Sequence, residues 1–92
     1  MYASIRRYKT DSGAEVTRHV QEGFVPLLSK AAGFIAYYAI DTGKGEWISF
    51  SLFETRAQVE QSNELASAWR NVALLIGEPE IAAGEVVVSK AK

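Results

Sequence analysis

The chain has 92 residues, 48% of them hydrophobic and 23% charged, with 10 Lys and Arg against 11 Asp and Glu for a formal net charge of -1. That length supports one core and that composition is far from disorder, so residues 1–92 are expected to form a single domain. So weak a charge leaves no field for a phosphate backbone or an anionic lipid surface, which excludes nucleic acid and membrane as expected partners. The sequence has no cysteine, excluding disulfides, thiolate nucleophiles and zinc-thiolate sites. With no leader-like start in Met1 to Arg7 and no run of about 18 apolar residues, a cytoplasmic location is expected.

Residues 2 to 9 mix Tyr2, Ile5 and Tyr8 with polar neighbours and read as a first strand. Ser12-Gly13-Ala14-Glu15 has the form of a capping box and predicts a helix start. Val16, Val20, Phe24, Leu27 and Ala31 then recur at helical steps as one apolar stripe, widened by Leu28. Pro26 interrupts it, lacking the N–H for its helical bond, so a kink or restart is expected near Phe24, and a stop at Gly33. The runs Phe34 to Ile40 and Trp47 to Phe53 flank Asp41-Thr42-Gly43-Lys44-Gly45 and predict a hairpin. The Gly-Lys-Gly triplet lacks the spacing and following helix of a phosphate loop. Thr55-Arg56-Ala57-Gln58 is a second capping box. Behind it Val59, Ala66, Trp69, Ala73 and Ile76 form a second helical stripe ending near Gly77. Gly84 to Ser89, rich in valine, predicts a fourth strand.

The order βαββαβ is that of the ferredoxin-like α+β sandwich, an antiparallel four-stranded sheet with two helices on one face. Alternation in the second hairpin strand predicts that Ile48, Phe50 and Leu52 meet the helices. Trp47, Phe53 and Tyr38 are then left on the opposite face. That is too much aromatic surface for water, and a second copy packed sheet to sheet is the expected cover, with Trp47 at the subunit interface.

Pro26-Leu27-Leu28 followed by Gly33-Phe34-Ile35-Ala36-Tyr37-Tyr38, the Phe50-to-Glu54 strand running into Thr55, and the late Gly84-Glu85 strand resemble antibiotic-biosynthesis-monooxygenase-like members of the dimeric α+β barrel superfamily. The resemblance spans nearly the whole chain and implies a homodimer. It also implies a substrate pocket between helices and sheet, and an oxygenase without cofactor in which an aromatic substrate's own carbanion reduces dioxygen.

The candidate catalytic residues are His19, Tyr37, Trp69 and Arg7. His19, the single histidine, is a proton carrier or a haem ligand by type; its plain alternative is a helix-surface histidine. Tyr37, Trp69 and Phe50 are expected to line an aromatic pocket suited to a planar phenol or quinone precursor, or else to be core. Arg6 or Arg7 is the expected partner of a ligand carboxylate or oxyanion, against a solvated strand arginine or an interface ion pair. No metal or other cofactor is expected, because Asp41, Glu46 and Glu54 stand apart and no His or Cys grouping joins them. Haem degradation is disfavoured: that subfamily's first-strand asparagine corresponds to Ile5, and its helix histidine has no counterpart between Thr55 and Gly77. The alternative to an enzyme is a non-catalytic small-molecule binder or structural dimeric module.

Overall fold

Four strands form one antiparallel sheet: β1 (Tyr2–Lys9), β2 (Phe34–Asp41), β3 (Glu46–Phe53) and β4 (Glu80–Glu85), in the spatial order β2-β3-β1-β4. The computed structural model describes residues 1–73 and 77–92, with side chains except at 72 and 73. Ile76 of the expected second stripe therefore lies outside the described residues. The helical segments α1 (Gly13–His19), a π turn (Val20–Phe24), α2 (Val25–Leu28) and α3 (Arg56–Ala73) contribute Val16, Val20, Phe24, Leu28, Val59 and Ala66 to a core shared with Tyr8, Trp47 and Phe53 of the sheet. This is the ferredoxin-like architecture, with the helices packed on one sheet face. Among the described residues no helix is long and apolar enough to cross a membrane.

Pro26 acts as its chemistry requires. The first helix widens into the π turn and restarts at Val25, with proline in the first turn of α2, where a missing N–H costs nothing. The Thr55 box closes: Thr55 N–H donates to Gln58 Oε1 at 3.0 Å and Gln58 N–H to Thr55 Oγ1 at 3.2 Å. The Ser12 box does not. Ser12 accepts from Val16 N–H through its backbone oxygen alone, at 3.0 Å, while its own N–H is taken by Thr10 Oγ1. Gly33, at φ +76°, turns the chain into β2, and its carbonyl accepts from Glu54 N–H at 3.0 Å.

The face assignment is the reverse of the sequence expectation. Trp47 is 3% exposed, and Ser49, Ser51 and Phe53 are fully buried; these residues face the helices together with Ser4, Arg6 and Tyr8 of β1. Ile48, Phe50 and Leu52 point the other way, so Trp47 belongs to the core rather than to a subunit interface. The serines between Trp47 and Phe53 are hydrogen-bonding partners for Arg6 rather than solvent-facing residues. Tyr38 stays on the open face as expected, 64% exposed, paired with Phe50.

A bulge at Ile35 sets the phase of β2. Phe34 pairs with Phe53 but Ala36 already pairs with Leu52, so one extra residue is spent on β2. Phe34 and Tyr37, three residues apart, consequently both face inward. The fourth strand also lies earlier than expected, at 80–85 instead of 84–89, because β1 supplies partners only from Arg7 to Tyr2. Val86 N–H ends the ladder on Met1 O at 2.9 Å, and Val87 and Val88 run into solvent despite their β-branched side chains.

Candidate functional site

Mid-strand on β1, Arg6 is 1% exposed and its guanidinium is held from three sides. Nε donates to Ser49 Oγ at 3.3 Å, Nη2 to Ser51 Oγ at 2.7 Å, and Nη1 to Asn63 Oδ1 of α3 at 2.7 Å. Asn63 Oδ1 also accepts from Ser4 Oγ at 2.7 Å. The cross-strand register opposes Arg6 to Ser49 and Ser4 to Ser51, so four residues of two neighbouring strands build this polar floor. Arg6 Cζ also stands 5.8 Å from the Phe24 ring centroid. Every partner is neutral. Among the described residues, Arg7 pairs with Glu46 at 3.5 Å, His19 Nε2 lies 3.8 Å from Glu15, and no carboxylate pairs with Arg6.

Burial pulls the Arg6 pKa below its usual value, countered in part by Tyr8 and Tyr37. Burial likewise holds the Tyr37 phenol above the usual tyrosine value, with the Ser49 hydroxyl and the Arg6 charge acting against it. Tyr37 is therefore a protonated hydrogen-bond donor at neutral pH and not a base.

An aromatic cage stands over this floor. The Phe24 ring lies 5.9 Å from Tyr37, edge on, and 5.4 Å from Trp69; Tyr8 and Trp47 pack 6.2 Å apart on the other side. The π turn has a direct effect here. It sets Gly23 against Trp69, where an added Cβ would stand 3.1 Å from the indole Nε1, and it rotates Phe24 inward. Trp47 Nε1 donates to Thr17 Oγ1 at 3.0 Å, which fixes the far wall. The enclosed space measures about 20 Å³, room for a water rather than a ring. It meets a wider cleft of about 190 Å³ between α3 and the start of β4, and the two share Arg6, Ala66 and Arg70.

Of the residues singled out in the sequence, Tyr37 and Trp69 meet in this pocket. Arg7 does not: it is on the open face of β1 and half exposed, beside Glu46, while its neighbour Arg6 points inward. His19 sits on α1 beside Glu15 and does not line the pocket. Phe50 is on the open face. Phe24, Asn63, Arg70 and the serines at 49 and 51 were missed. One signal for them was present: Ser4, Arg6, Ser49 and Ser51 fall on the same parity as the large aromatics Tyr8, Trp47 and Phe53, a polar row inside an otherwise apolar face. Among the described residues no three His, Cys, Asp or Glu side chains come together as a metal site would require.

No protein-family model matches the chain, and no curated relative matches it. Solved structures do. A protein of unknown function from Nitrosomonas europaea, NE2512, superposes with a TM-score of 0.79 at 20% identity, covering 99% of this chain and 93% of that one. The monooxygenase from the gene ActVA-Orf6 of Streptomyces coelicolor, solved with nanaomycin D, gives 0.73 at 14% identity over 99% and 91%. SnoaB, a cofactor-independent oxygenase from Streptomyces nogalater, gives 0.72 at 8% identity over 99% and 97%. Others with similar coverage carry the antibiotic biosynthesis monooxygenase name. This chain has the antibiotic-biosynthesis-monooxygenase-like fold. At these identities the likeness is one of backbone architecture. In this chain Arg6, Tyr37 and Trp69 converge in the space between helices and sheet.

Proposed function

We propose that the chain is a cofactor-independent monooxygenase that takes a small aromatic phenol into the helix-sheet pocket as its anion. The observation that carries this reading is Arg6: a fully buried guanidinium among neutral partners, beside a protonated tyrosine, under an aromatic cage. A desolvated cation with no carboxylate of its own favours the ionised form of a bound phenol, so the substrate's proton can leave to water without a general base in the pocket. The electron-rich anion then reduces dioxygen. For a phenol with a free ring C–H ortho or para to its hydroxyl, the balance is one phenol and one dioxygen giving one quinone and one water: the ring C–H and the O–H each lose their hydrogen, the ring carbon gains one oxygen atom, and the second oxygen atom leaves with the two hydrogens as water. Phe24, Trp69 and Tyr37 would exclude water and stack on the ring. A ring enters only when the cavity widens toward the α3-β4 cleft that it joins. With an activated phenol, oxygen uptake should exceed autoxidation and fall about tenfold or more in Tyr37→Phe. Uptake equal to the protein-free rate, or a variant as fast as the parent, would sink the proposal.

A binding module without turnover is favoured by a different observation. No histidine or carboxylate side chain is among the described residues lining the pocket, so its lining supplies no general base of those types. On that reading ligands raise the melting temperature and oxygen is untouched.

We also propose a homodimer through the open sheet face. Ile5, Tyr38 and Ile40 are exposed there around Phe50 and Leu52, a contiguous apolar surface of the kind that a two-fold copy covers. Sedimentation velocity at micromolar concentration should give a dimer that becomes monomeric in the double variant Tyr38→Glu, Ile40→Glu. A parent protein that sediments as a monomer would exclude this interface.

A further inference from the structure

The phenol reading leaves one buried charge without a use. Arg70, on α3, is 6% exposed and lines both the aromatic cavity and the wider cleft beside it. Among the described residues no carboxylate comes within ion-pair distance of it or of Arg6. Two guanidinium groups thus border one small space. Both side chains are buried, and a buried cation without a carboxylate partner costs stability unless an anion joins it. A phenolate on the polar floor answers one of the two charges. The second charge sits where the cavity widens toward Ser67, Pro79 and Ile81, with Glu78 at the rim of the same cleft.

We infer that the ligand of this pocket carries a second acidic group, and that Arg70 holds its carboxylate in the α3-β4 cleft while its phenolic oxygen rests against Arg6 and Tyr37. The inference builds on the pocket assignment above and names the substrate class: hydroxylated aromatic acids in place of neutral phenols. A guanidinium presents a planar fork that pairs with both carboxylate oxygens. Arg70 lies three residues after Ser67 on the same helix, so a carboxylate introduced at 67 reaches the same guanidinium.

The test compares matched acid and amide ligands by titration calorimetry: para-hydroxybenzoate with its amide, and para-hydroxyphenylacetate with its amide. The parent protein should bind at least one acid about tenfold or more tightly than its amide. Arg70→Gln should erase that preference, and Ser67→Glu, which leaves the core untouched and supplies an internal competitor for Arg70, should erase it too. If Arg70→Gln fails to fold, Ser67→Glu decides alone. Equal binding of acid and amide by the parent, no binding of either, or a preference that survives Ser67→Glu overturns the inference. Its failure is separable from failure of the oxygenase reading. Oxygen uptake with neutral phenols and no acid preference removes only this inference. An acid preference lost in the variants, with no oxygen uptake by the parent, removes only the oxygenase.

Discussion

Replacing Arg6 by glutamine is expected to lower kcat/KM for oxygen uptake about a hundredfold or more, the size of effect seen when a donor to a developing oxyanion is removed from a dry site. Stability should move little, by about 1 kcal/mol or less, because two effects oppose each other. The amide keeps a polar group near Asn63 and Ser51, while the variant no longer buries a cation. The sign follows from the pKa. Burial lowers the folded-state pKa of Arg6, so the charged form is penalised by folding at every pH below that value, and the penalty fades as pH climbs from the folded to the unfolded pKa. Urea denaturation alongside the oxygen assay checks both halves. A variant that loses activity and several kcal/mol together would make Arg6 a structural residue and remove the main support for an anion site.

Phe53→Ala should be the most damaging single truncation in the sheet. Its ring is fully buried, edge on to Phe34 at 5.8 Å, at the point where the β2 bulge begins. A loss of about 3–5 kcal/mol is expected, which in a domain of this size lowers Tm by about 12 °C or more. Leu52→Ala, one residue away on the open face, should cost markedly less in a protein held monomeric. The pair tests which face is inside. If Leu52→Ala proved the worse of the two, the helices would have to lie on the other side of the sheet.

Much of the architecture was readable residue by residue. Pro26 marked the helix restart, the Asp41 to Gly45 turn marked the hairpin, and Thr55 with Gln58 formed the box their spacing implied. These are local effects, decided within a few residues by backbone chemistry. The sense of the β3 alternation was not legible, because a period of two divides residues into two sets without saying which is inside, and here both sets carry large apolar side chains. The end of β4 was set by where β1 begins, a partner far away in sequence. The site was half legible. Aromatic character pointed to Tyr37 and Trp69, but the choice between Arg6 and Arg7 turns on strand parity, and inverting the β3 faces obscured it. Asn63 had no signal at all: its role exists only because α3 crosses above Ser4 and Arg6.

The chain's two tryptophans, Trp47 and Trp69, both border the cavity. The protein therefore carries its own optical gauge. Trp47, buried and tied to Thr17, should emit as a fixed blue-shifted background, whereas Trp69, resting on Gly23 and Phe24 with part of its indole in water, should respond when a ring slides in beside it. Events on the far side of the sheet would leave this emission unchanged, so occupancy and self-association can be followed in the same cuvette without a label.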